Sequence, residues 1–201
     1  MKDADLSQYL EADLRFLMPL TVGQKVGVYG HSSALAETLN DDGLVVFPLL
    51  LQDIGKTTGL DHLIISKYEG GSSREAAGLF RKTIQPGGWL IVGFYNAGSI
   101  RNIFSHKKSR SCYYLREFIS HLKQAGFDIR LCYGVYDRLP YPHFLIPVET
   151  SGASKYFWNS IYVPASRLFT WMQRWFGLLS TVGLRHTLFS GCIVLAHCKS
   201  I

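Results

Sequence analysis

The chain has 201 residues, of which 47% are hydrophobic and 18% charged, and its formal net charge is +6. That is enough apolar material for a globular core in one domain, with room for an appendage. No uninterrupted apolar run reaches the roughly 18 residues of a membrane span. The acidic start, MKDADLSQYLEADLRFL, is not a signal peptide.

The four cysteines, Cys112, Cys132, Cys192 and Cys198, have neither CxxC pairing nor zinc-ligand spacing. Reduced thiols, a cytoplasmic setting and no metal are the expectation. The densest positive patch, His106 to Arg110, reads as a solvated loop, because no nucleic-acid motif accompanies it.

In chain order, Leu6, Leu10, Leu14 and Leu17 recur at helical spacing over 4–18, and Pro19 and Gly23 end that helix. Lys25 to Gly30 is a compact apolar strand. Ser32 and Ser33 are good caps for a helix over 34–39. Asn40 to Gly43 is a turn, followed by an apolar run from Leu44 to Leu51 that Pro48 interrupts. Asp61 to Ser66 is a buried-type strand. Ser73 to Ile84 carries a helical pattern, and Gln85-Pro86-Gly87-Gly88 breaks it. Trp89 to Phe94 is a strand, and Tyr114 to Gln124 is a helix with Leu115, Phe118, Ile119 and Leu122 on one face. Gly126 suits the left-handed position that closes it. Phe127 to Tyr133 and Gly191 to His197 are further strands. The alternation predicts an α/β fold with helices on both faces of a mainly parallel sheet.

Three linked pieces carry a family resemblance: the strand Leu60 to Ser66, the stretch Phe80-Arg-Lys-Thr-Ile-Gln-Pro-Gly-Gly-Trp-Leu-Ile-Val92, and Leu115 to Arg130 with its Ala125-Gly126-Phe127. In this order they resemble the second half of a class I S-adenosylmethionine-dependent methyltransferase. The resemblance implies a Rossmann-like sheet that binds S-adenosylmethionine at its carboxyl edge. It covers about 60–133 well, 25–59 more weakly, and extends to the strand at 191–197.

The first half departs from the family pattern. On the cofactor motif, Val26-Gly-Val-Tyr-Gly-His-Ser-Ser-Ala34 keeps Gly30. Val28 stands where the family has an acid, and Ser32 and Ala34 stand where it has glycines. The second strand, Leu44 to Pro48, ends without the acid that serves the ribose hydroxyls. The span from Val26 to Ser66 is about 40 residues, whereas one strand–helix–strand unit takes about 30. The family fits four strands and two or three helices there, so a strand, a helix or both are expected to be missing near 40–55.

By resemblance, Gly30, Ser32 and Ser33 would hold the methionine end of the cofactor and Asp53 the adenine side. Tyr68 and Asn96, at strand carboxyl ends, would meet substrate, and Glu69 or His143 would act as base. Each also has a plain structural reading: a capped turn, a solvated loop, a partly buried histidine. His106 reads as solvated.

The expected layout is an N-terminal helix in 1–24, the methyltransferase-like α/β domain in 25–137, a lid or helical segment in 138–190, and a closing antiparallel edge strand in 191–201. The aromatic and basic stretch 155–185 reads as a cap on the sheet, a lid over an apolar substrate, or an interfacial helix, the last giving peripheral membrane contact through 155–180. Two functions follow. One is a divergent methyltransferase acting on a small molecule. The other is a methyltransferase fold that no longer methylates, serving as a partner subunit or holding another ligand.

Overall fold

The computed structural model describes residues 14–30, 33–100, 112–135, 139, 142, 144–158, 175, 179 and 185–200. Its elements are β1 (Lys25–Tyr29), α1 (Ser33–Asp41), β2 (Val45–Pro48), β3 (Leu60–Ile65), α2 (Ser73–Thr83), β4 (Ile84–Asn96), β5 (Cys112–Tyr113), α3 (Leu115–Gln124), β6 (Phe127–Val135), β7 (Leu145–Pro147), α4 (Ser151–Tyr156) and β8 (Gly191–Cys198). Short 3-10 turns lie at Leu14–Leu17, Leu51–Asp53 and Arg185–Leu188.

The strands form one sheet in the order β2-β1-β3-β4-β8-β6-β7, with β5 adding to β4. β2, β1, β3 and β4 run parallel, while β8 is antiparallel to both β4 and β6, and β7 is antiparallel to β6. The fold is Rossmann-like.

Side-chain alternation sorts the core into two layers, because successive residues of a strand face opposite sides of the sheet. Leu63 and Ile65 of β3, Leu90, Val92 and Phe94 of β4, and Val194 and Ala196 of β8 face α2 and α3, where Phe80, Phe118 and Leu122 complete the layer. Phe94 and Phe118 stack at 4.3 Å between ring centroids. Ile64, Ile91, Ile193 and Leu195 face the other way, onto Leu39 of α1 and onto Leu14 and Met18. A satellite cluster joins Ile146, Phe157, Trp158, Leu188 and Phe189.

Local chemistry sets the element ends. Ser72 caps α2, with its hydroxyl accepting from Glu75 N and the Glu75 carboxylate accepting from Ser72 N at 2.9 Å. Gly126 closes α3 at φ +93, as its place after the helix predicts.

Three sequence expectations are corrected. The strand at 191–198 is not at the edge: it lies between β4 and β6, and β7 takes the edge. Its residues are buried on both faces, as an interior strand requires. The strand read as Trp89 to Phe94 runs from Ile84 to Asn96, so the Pro86-Gly87-Gly88 stretch that follows the helix lies within β4. Pairing jumps from Leu60↔Ile84 to His62↔Trp89, so the extra residues form a bulge, with Gly87 at φ +85. Residues 14–17 form a 3-10 turn rather than the end of an α-helix.

Between β1 and β3 there is one helix and one strand, α1 and β2, and β2 is the sheet edge. The short first half accommodates no more. The rest of the expected N-terminal helix, and most of the aromatic stretch at 155–185, lie outside the described residues. Within that stretch Trp158 is buried, whereas Tyr156 and Trp175 are exposed. No described helix is long and apolar enough to cross a membrane.

Candidate functional site

In space, β1 has β2 on one side and β3 on the other, so the chain reverses its direction of travel across the sheet at β1. Ligands of open α/β sheets lie at such a reversal, over the strand carboxyl ends. Here that place is bounded by the turn after β1, the loop after β3 and the end of β4.

The turn after β1 is built around Gly30, which is exposed and has φ +77. A left-handed backbone suits glycine, and a Cβ here would also press on Ser66 Oγ at 3.0 Å. Ser66 binds this turn to β3: its hydroxyl donates to Gly30 O at 2.7 Å, and its amide donates to Tyr29 O at 3.2 Å. α1 begins at Ser33. Ser32 lies outside the described residues, as does the side chain of Ser33.

After β3 the chain crosses over β4, where Tyr68 N donates to Gly93 O at 2.7 Å. The crossing is close: a Cβ on Gly93 would collide with Ser66 O. The alternation of β3 breaks at this crossing, so that Tyr68 returns to the same layer as Ile65 while Lys67 and Glu69 are left less buried. Tyr68 is buried, edge-on to Phe80 at 5.3 Å and tilted against Tyr113 at 5.7 Å. The Tyr113 hydroxyl reaches Gly70 O at 2.8 Å and Gly71 O at 2.9 Å, which ties the far end of the loop. Burial raises the pKa of both phenols, so they stay protonated.

On the outward side, Lys67 Nζ pairs with Glu69 Oε1 at 2.6 Å and lies 5.2 Å from the centre of the Tyr95 ring. The hydrogen bond to Glu69 is the main reason the Lys67 pKa is raised above the ordinary lysine value. Tyr29 is half-buried beside them. Its pKa is raised, first by burial and then by the Glu69 charge, with Lys67 opposing. The carboxyl edge therefore presents an ammonium–carboxylate pair over the Tyr95 ring, close to the exposed glycine turn, with Tyr29 packed against the opposite layer.

Of the residues expected from sequence, Gly30 and Glu69 come together here. Tyr68 is in the same loop, but its ring is packed inside. Asn96 is fully buried: its Nδ2 donates to His186 O at 2.6 Å and its Oδ1 accepts from Gly98 N at 3.1 Å. Two residues along a strand share a face, so Asn96 follows Phe94 inward rather than facing a ligand. Asp53 sits apart, its Oδ2 accepting from Leu50 N at 3.0 Å to cap the short turn after β2. His143 and His106 lie outside the described residues. Lys67 was not anticipated. Its position just past the end of β3, at the carboxyl edge, was the signal available in the sequence. Among the described residues no cluster of His, Cys, Asp and Glu is placed to hold a metal ion.

No family model matches the sequence, and no curated protein matches it. The fold does match solved structures. A methyltransferase from Archaeoglobus fulgidus, described as SAM-dependent, superposes with a TM-score of 0.57 at 13% identity, covering 95% of this chain and 94% of its own. A chain from the complex of the Haloferax volcanii Trm112 methyltransferase activator with its assigned methyltransferase gives 0.55 at 14% identity, covering 100% and 92%. The [4+2]-cyclase SpnF gives 0.50 at 10% identity, covering 98% and 81%. The chain thus has the class I methyltransferase-like fold.

Proposed function

We propose that the chain is a divergent methyltransferase that holds S-adenosylmethionine over β1 and β3 and acts on a small-molecule acceptor. The observation that carries this reading is the exposed, left-handed Gly30 at the reversal point of the sheet, packed against the backbone of Lys67, whose side chain pairs with Glu69. A turn without a side chain lets a ligand approach the backbone, and it fits the amino-acid end of the cofactor.

The adenosine end fits less well. β2 stops at Pro48, and Leu49 turns inward: a Cβ on Gly27 of β1 would come within 2.8 Å of its Cδ1. Asp53 is engaged as a cap. Each missing charge-assisted hydrogen bond to the ribose costs about 1.5–3 kcal/mol. Losing two weakens binding on the order of a hundredfold or more. The expected enzyme is therefore one with low cofactor affinity.

When bound, the cofactor supplies an electrophilic methyl group. The chain's own part is positioning and proton handling. In this reading Tyr95 walls the acceptor, and Glu69 takes a proton from its nucleophile.

A second reading keeps the fold without methylation, and the stripped adenosine side favours it. Among the structural neighbours, SpnF is a cyclase and the Haloferax chain belongs to a complex with an activator. Exposed Trp175 and Tyr156 give this reading a surface for a protein partner or a membrane interface.

Calorimetric titration with S-adenosylhomocysteine decides between them without knowledge of the substrate. The expected result is saturable heat below millimolar ligand, weakened at least tenfold by Gly30→Val. Folded protein giving no heat at millimolar ligand overturns the methyltransferase reading and leaves the second.

A further inference from the structure

We infer that Ser66 is the positioning residue of the turn after β1: its hydroxyl sets the shape of the exposed Gly30 turn before any ligand arrives. This role rests on the reading above, in which that turn holds the amino-acid end of S-adenosylmethionine, and it names the side chain on which the fit depends.

The turn needs such a tie. Gly30 is exposed, its φ is +77, and glycine gives up more conformational freedom on ordering than any other residue. Left to itself, a glycine turn at the end of β1 samples several shapes, and binding has to select one of them. Ser66 stands across from it, just past β3, and is fully buried. Its hydroxyl donates to Gly30 O at 2.7 Å, an ordinary length for such a bond, and lies 3.3 Å from Tyr29 O, beyond the usual range. The single proton of the hydroxyl is thus committed to Gly30. The rest of Ser66 cannot follow the turn. Its amide donates to Tyr29 O at 3.2 Å, a Cβ on Gly93 of β4 would collide with its carbonyl oxygen, and two residues on Tyr68 N donates to Gly93 O at 2.7 Å. The donor is held by β1 on one side and β4 on the other, so Gly30 is the member that is steered. The fit runs both ways, since a Cβ on Gly30 would come within 3.0 Å of Ser66 Oγ. Because Gly30 is exposed, water can bond its carbonyl once the hydroxyl is removed. The loss therefore falls on the shape of the turn more than on the stability of the fold.

The test titrates S-adenosylhomocysteine into the full chain, into Ser66→Ala and into Ser72→Ala, and reads backbone order at Gly30 in the ligand-free proteins by NMR relaxation. Ser66→Ala is expected to lower the order at Gly30 and to weaken binding about threefold to tenfold, the net worth of one hydrogen bond. Ser72→Ala removes the capping hydroxyl of α2. It is expected to lose at least as much stability in denaturant as Ser66→Ala and to keep the affinity of the unaltered chain. Any one of three results overturns the inference: Gly30 as well ordered in Ser66→Ala as in the unaltered chain, Ser66→Ala binding as tightly as that chain, or Ser72→Ala weakening binding as much as Ser66→Ala does, which would mean general loosening. The two ideas fail differently. An unaltered chain that gives no heat removes the cofactor reading and this role with it. An unaltered chain that binds, matched by Ser66→Ala, removes this role alone and leaves the cofactor site standing.

Discussion

At the scale of single residues, His62 shows how burial becomes pH dependence. Its Nε2 meets Gln24 Oε1 at 2.8 Å, while Nδ1 is buried with no partner among the described residues. Burial lowers its pKa below the ordinary 6.5, and the neighbouring Asp61 opposes the shift without reversing it. Asp61 is itself engaged, accepting from Lys25 N at 2.7 Å and from the Gln85 amide. As pH falls through 6.5 the unfolded chain takes up the proton first, so it binds more protons than the folded chain. The stabilising contribution is therefore complete above 6.5 and declines from there down to the folded-state pKa. His186, lowered by burial and by Arg116, adds in the same direction. Melting temperatures between pH 7.5 and 5 are expected to fall, and His62→Gln is expected to flatten that slope. An unchanged slope in the variant would remove His62 from the account. Residues of this kind are only half legible in a sequence. The place of Gly30 and Glu69 at the carboxyl edge is legible because strand ends announce themselves, whereas the inward turn of Asn96 and Tyr68 depends on packing that no local signal gives.

At the scale of elements, the clearest reading came from length. About 40 residues between β1 and the end of β3 cannot hold several strand–helix units, and α1 and β2 are what the chain places there. The Pro-Gly-Gly stretch ends α2 as its composition says, but that composition does not show that the strand already begins there, and only the pairing of β3 with β4 reveals the bulge. The close approach of the β3 loop to β4 was invisible for the same reason. It makes a sharp prediction: Gly93→Ala forces Ser66 and the crossing segment away, at a cost of about 1–3 kcal/mol or more. Chemical denaturation measures that cost, and a variant as stable as the original would mean that the crossing gives way easily. Ser72→Ala removes one half of the α2 capping box and is expected to cost about 1 kcal/mol. The same denaturation experiment reports it.

At the scale of the molecule, β8 decides the architecture. It makes the full ladder with β4 on one side and with β6 on the other, and β6 and β7 have no other place in the sheet order. The run Gly191-Cys-Ile-Val-Leu-Ala-His-Cys198 announced a strand, read from sequence as an edge strand, and its interior place comes from its partners. Its neighbours are more than 50 residues away for β6 and further still for β4, as the pairings Val135↔Gly191 and Tyr95↔Gly191 show, and no local signal names them. A chain ending at Ser190 is expected to lose cooperative unfolding, since its sheet divides into two pieces with raw edges. A cooperative melt from that fragment would show that β4 and β6 can close on each other. The slot between them is defined by backbone geometry and by apolar side chains, with nothing that marks the incoming strand as belonging to the same molecule. During refolding at high protein concentration, a neighbouring copy's 191–198 segment competes for the slot, and reciprocal exchange of this strand yields intertwined dimers whose sheets are locally native.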